Sequence, residues 1–359
     1  MRKIVSSLRM FLKEDFHLWT YLLTFLVLGI CLTLNYTLHL TNKWIYTQPD
    51  GWVKLVRWTS FMAFPYLVVV GLQAIFQKPA PGLKKPGFWA MLLLALLMVS
   101  ITAWFPWHKN LARELFPKEL FRWGLLVLWN LKRFVFMLAP LLLFWFLVDR
   151  KPKVVPALYE NDHDRYNQFY GLFTKPKGLA PYFLMLLIML PLITVASYQP
   201  DFLKVYPQYF AGPAEAKVGV SPWLTGAVFE FVYLSDFALV ELVFRGFLVI
   251  GFIRWLGPRA VLPMAAMYCF LHFGKPAGEA VASVFGGYIL GVVAYYTPLH
   301  LGRHRRAHGR GSDDGDRSVH STDALKGGGS ANSPRTPILN SKYSVFGAHT
   351  AFWVAPTTR

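Results

Sequence analysis

Long apolar windows constrain this chain more than any other feature. They fall near residues 18–40, 58–77, 88–106, 123–148, 180–199, 223–252, 259–273 and 277–296. Several reach the ~18 to 20 residues that cross a hydrocarbon core of about 30 Å. Unpaired backbone groups are too costly in lipid to leave exposed, and the windows lack the two-residue alternation of a barrel, so the spans are helices. The expected fold is all-α, a polytopic transmembrane helix bundle of about eight spans. Charged residues make up 16% of the chain, against roughly a quarter in soluble proteins, which excludes an ordinary cytosolic enzyme.

The first span follows Arg2, Lys3, Arg9 and Lys13 and no small-residue cleavage site closes it, so it reads as an uncleaved anchor. If every span crosses once, the loops with Lys78, Lys84 and Lys85 and with Arg150 to Lys177 share the side of the N-terminus, which should be the cytoplasm. The loop with Lys109, Arg113 and Lys118 falls opposite. The net charge of +18 sits between apolar windows or in the final tail, so the expected partner is the lipid bilayer and no nucleic acid. Cys31 and Cys269 both lie inside apolar windows and offer no disulfide framework. The organisation is then 1–150, N-terminal transmembrane helices of unread role; 151–179, a polar connecting loop; 180–296, helices that carry ionisable residues; and 297–359, a basic tail.

Ionisable groups at bilayer depth need a partner or a wet cavity. The fourth span carries Lys132 and Arg133 near its middle, so only its second half should face lipid. The sixth span carries Glu230, Asp236, Glu241 and Arg245. Glu241 and Arg245 are four apart and share a face, close enough to pair. Glu230 precedes Glu241 by three turns, about 16 Å along nearly the same face, and Asp236 points elsewhere. His272 closes the next span. A carboxylate and an imidazole on facing helices can activate water, the carboxylate taking a proton and the imidazole holding one or polarising a carbonyl. The bland readings are an intramembrane ion pair for Glu241 with Arg245 and an interfacial histidine for His272. Gly287 and Gly291 mark a close helix contact, and Glu279 caps or pairs at the start of its helix with Lys275.

The string Glu241-Leu242-Val243-Phe244-Arg245-Gly246, then Tyr268 to Gly274, then Ser283 to Gly291 resembles the CPBP family of intramembrane proteases. That family includes type II CAAX prenyl endopeptidases and the Abi-like bacteriocin-processing proteins. Its motifs are Glu-Glu-x-x-x-Arg, Phe-x-x-x-His, and a last helix bearing a His. The resemblance covers roughly residues 180–296. It implies a membrane endopeptidase acting on a membrane-associated peptide or protein, in a bacterial inner membrane. Glu241 matches the second Glu, Arg245 the Arg and His272 the first catalytic His. Val240 stands where the first Glu should be and Tyr268 where Phe is usual. Either Glu241 serves alone as the base, or the chain is an inactive relative with an immunity, scaffold or transport role. The family label implies a divalent metal, but no ligand spacing here supports one, and no cofactor is assigned.

The resemblance implies one more helix after residue 296, bearing a His. Instead Thr297 to Arg310 is rich in Arg and His, and the remainder has the composition of disorder. Permitted codons for Thr297 to Arg310, read one nucleotide later, spell Arg-Ser-Ile-Trp-Gly-Gly-Ile-Val-Val-His-Met-Gly-Val, an apolar segment with one His. The tail therefore reads as out of frame, with a ninth span lost; the competing reading is a genuine His-rich and Arg-rich tail.

Overall fold

The computed structural model describes residues 2–150, 169–171, 191, 194–195, 197–203 and 205–309. The expected polar loop at 151–179, the span at 180–199 and the tail from Arg310 lie wholly or largely outside them. The described residues are helical, without strands. Helix α1 runs Arg2–Asp15, α2 Leu18–Leu38, α3 Trp52–Phe76, α4 Pro86–Trp104 and α5 Trp107–Leu115. The long α6 covers Lys118–Asp149. After it come α7 (Pro213–Val218), α8 (Pro222–Glu241), α9 (Val261–Leu271) and α10 (Ala277–Gly309). A π-helical segment, Leu242–Gly251, continues α8 without a break.

Five helices among the described residues are long and apolar enough to cross a membrane: α2, α3, α4, α6 and the Ala277–Tyr296 part of α10. Two other expected spans differ for separate reasons. The sixth, α8 with its continuation, is long enough but is not among the five, and carries Glu230, Asp236, Glu241 and Arg245. The seventh, α9, has eleven residues, about 16 Å of helix, half of what a crossing requires. Nine of its ten positions from Val261 to Phe270 are apolar and buried, because α9 lies inside the bundle with α2, α3 and α10 around it. A helix apolar on every side belongs in a core as readily as in lipid. By contrast Leu142, Leu143, Phe146 and Leu147 in the second half of α6 are exposed, as expected of a face turned to lipid.

Small residues set the closest contacts. A Cβ on Gly287 would lie 3.0 Å from the Tyr268 ring, and one on Gly291 would lie 2.6 Å from the Met264 methyl. These glycines bring α10 against α9, as their spacing implies. Gly82 admits the Ile253–Leu256 turn in the same way: a Cβ there would meet the Trp255 backbone, 2.6 Å from its Cα. Backbone cannot swing aside as a side chain can. Gly82→Ala is therefore expected to cost about 1–3 kcal/mol, read as a lower unfolding temperature in detergent; an unchanged temperature would contradict this packing.

Polar ties cross the bundle as well. Arg254 forks onto Asp149 at 2.8 and 3.0 Å, and the Tyr170 hydroxyl donates to the same carboxylate at 2.7 Å. Lys132 is fully buried; its ammonium donates to the Phe105 carbonyl that ends α4 (3.3 Å) and lies 3.7 Å from the Trp129 ring centre. The arrangement satisfies a helix-terminal carbonyl with a cation.

His108 on α5 packs edge-on against Trp129, only 2% exposed. Burial first, then the charges of Lys132 and Lys109, push its pKa down to about 4 from 6.5. The unfolded chain therefore takes up this proton first as pH falls. Stability is full above about pH 6.5 and is lost progressively towards pH 4, by about 2 kcal/mol between pH 7.5 and 5. His108→Gln should flatten that slope in thermal unfolding at the two pH values; parallel slopes would refute it.

Candidate functional site

Helix α8 starts at Ser221-Pro222, with Pro at a position where no N–H is needed. It ends its regular winding at Glu241, and Arg245 lies on the wider π turns that follow. Such turns displace side chains from the ordinary helical register and are common at functional sites. Arg245 Nη1 lies 3.0 Å from Glu241 Oε1, with the arginine side chain 5% exposed and the glutamate 39%. The guanidinium carbon also sits 4.1 Å from the centre of the Tyr268 ring on α9. Arg245 Nε, Nη1 and Nη2 are all buried, with the Glu241 carboxylate and the Tyr268 hydroxyl as their polar neighbours. A desolvated cation of this kind is held by charge and by the ring face.

His272 takes the residue after α9, with φ −94° and ψ 0°, the bridge region in which many active-site residues lie. Its Nδ1 is 2.9 Å from the Tyr268 carbonyl. A carbonyl can only accept, so Nδ1 carries the hydrogen and donates it, leaving Nε2 with a lone pair in the neutral ring. The His272 and Tyr268 rings lie 4.6 Å apart. Nε2 faces Glu279 Oε1 across 3.8 Å. Glu279, in the first turn of α10, also forms an ion pair with Lys275, and the Tyr206 hydroxyl donates to its Oε2 at 3.1 Å.

The turn between α9 and α10 is fixed from outside. The Lys275 N–H donates to the His272 carbonyl, the Asn35 amide donates to the Phe273 carbonyl at 3.0 Å, and the Tyr36 hydroxyl donates to the Lys275 carbonyl at 2.7 Å. Asn35 and Tyr36 belong to α2, so the first span supports the turn that presents His272.

Glu241 and Arg245 come together as their spacing implies. Among the described residues no hydrogen bond or ion pair joins Glu241 to His272 directly; Arg245 and Tyr268 stand between them. Glu230 is exposed. Asp236 turns away from the site and pairs with Arg133 of α6. Glu279 pairs with Lys275 as expected, but its approach to His272 is new. The signal for it was the Gly274-Lys275-Pro276 turn, which breaks the helix between the two residues and so removes helical spacing as a guide. Among the described residues no three of His, Cys, Asp and Glu gather as a metal-ligand set. Compared with family models, curated proteins and solved structures, the chain matches none.

Proposed function

We propose that the chain is a multi-pass membrane endopeptidase of the CPBP type, hydrolysing a peptide bond of a membrane-associated protein or peptide in a bacterial inner membrane. The observation that carries this reading is the buried Arg245, paired with a carboxylate on its own helix and lying over the Tyr268 ring that also packs on the His272 imidazole. Peptide hydrolysis requires a group to take a proton from water, donors for the oxygen that becomes negative, and a proton for the leaving amine. Arg245 fits the second requirement, because preorganised donors in a dry site act most strongly on developing charge. Carboxylate and imidazole groups fit the first and third.

The test is cleavage of a membrane-tethered peptide by the full chain in liposomes, beside Glu241→Ala and His272→Ala. The expected result is cleavage by the parent and its loss in both variants. Equal cleavage by all three would eliminate the site, and no cleavage by the parent would favour a non-catalytic membrane role.

A further inference from the structure

We infer that the carboxylate drawing the proton from water is Glu279, acting with His272, and that Glu241 serves to hold Arg245. The inference rests on the hydrolase reading and concerns the same site. Val240 occupies the place where a second carboxylate would be expected beside Glu241, and the fold supplies another from α10.

The argument is one of hydrogen-bond polarity. With the Nδ1 hydrogen committed to the Tyr268 carbonyl, Nε2 and Glu279 Oε1 are two acceptors facing each other across 3.8 Å. Oε1 is held there by the Lys275 ammonium, which pairs with this same oxygen. A water entering between the two acceptors can give one hydrogen to each once the gap widens from 3.8 Å to about 4 to 4.5 Å. The carboxylate is kept in place by the Tyr206 hydroxyl on its other oxygen and by Lys275. The charged and titratable groups facing this pair are Lys275 from the turn, Tyr206, Tyr233 on α8, Tyr268 on α9, and Arg245 beyond it. Lys275 is 31% exposed, so its pairing is screened by solvent. Glu241, by contrast, lies against a guanidinium that is 5% exposed.

In the step itself, the water oxygen bonds to the carbonyl carbon as one of its protons passes to Glu279 Oε1. The displaced electron pair collects on the carbonyl oxygen, towards Arg245. When the pair returns, the C–N bond breaks, the amine nitrogen takes the proton held by Glu279, and the new carboxyl group releases its own proton to solvent.

The experiment is the pH–rate profile of peptide cleavage in liposomes for the parent, Glu241→Gln, Glu279→Gln, Glu279→Asp and Lys275→Met. Glu279→Gln should lose about 100-fold or more and with it the acidic limb of the profile. Glu241→Gln should lose clearly less than Glu279→Gln, because its part is to hold Arg245 and the amide keeps a hydrogen-bonding oxygen beside the guanidinium. Lys275→Met should also stay within about tenfold, which separates the role of Glu279 from a structural pair with Lys275. Should Glu279→Gln not fold, Glu279→Asp decides. A drop of about tenfold with the acidic limb kept supports the inference, and a rate equal to the parent's overturns it. A dead Glu241→Gln beside an active Glu279→Gln would overturn it while leaving the hydrolase reading intact. An inactive parent would remove both.

Discussion

His272→Ala is expected to lower peptide cleavage by about 10²–10⁴-fold, the range over which a positioned acid or base contributes. The size follows from what the ring does. Its Nδ1 is anchored to the Tyr268 carbonyl and its Nε2 faces Glu279, so the imidazole is fixed through Nδ1 and its loss leaves no substitute at that spot. The helices need not suffer with it, because the turn is held through backbone carbonyls by Asn35 and Tyr36. Rates should be compared at equal folded fraction, judged by helical signal and gel filtration in detergent. A well-folded His272→Ala that cleaves as the parent does would take the imidazole out of the mechanism.

The largest stability effect is expected at Arg133 and Asp236. These residues form an ion pair between α6 and α8, with the aspartate side chain 7% exposed and the arginine 22%. Asp236 Oδ1 has no hydrogen-bond partner among the described residues, so within them the carboxylate depends on Arg133. Arg133→Ala strands a buried charge and should cost about 3–5 kcal/mol. Asp236→Ala should cost less, because the arginine is long and more exposed and can redirect its charged end towards water or headgroups. The pair also fixes α8 little more than one turn before Glu241, so activity should fall with stability. Thermal unfolding in detergent checks the asymmetry; equal losses, or losses below about 1 kcal/mol in both, would mean that the pair does not anchor the helix.

Most of the helical framework was legible from apolar windows, because length and hydropathy are local properties. The fate of α9 was not. Its composition suits lipid and protein core alike, and only its eleven residues and its surroundings distinguish them. The Glu241–Arg245 pair and the glycine contact of α10 were legible for the same local reason: both are i,i+4 relations on one helix. The Arg133–Asp236 pair was not, since the sequence shows two isolated charges on helices far apart in the chain and nothing specifying that they meet. Glu279 lay between these cases. Its bond to Lys275 follows from spacing, whereas its approach to His272 requires the turn at 272–276, which α2 secures through Asn35 and Tyr36. The helix of α10 also runs beyond Tyr296 to Gly309, past the point where composition marked the start of the basic tail.

The account stands on hydrolysis of a peptide bond at this cluster, with His272 essential to it. The direct measurement is cleavage of the tethered peptide by the full chain in liposomes prepared in ¹⁸O-water, with mass analysis of the new C-terminus. Incorporation of one ¹⁸O into that carboxyl group by the parent, with no product from His272→Ala, is the predicted result. No cleavage, or the same labelled product in equal amount from His272→Ala, would contradict it.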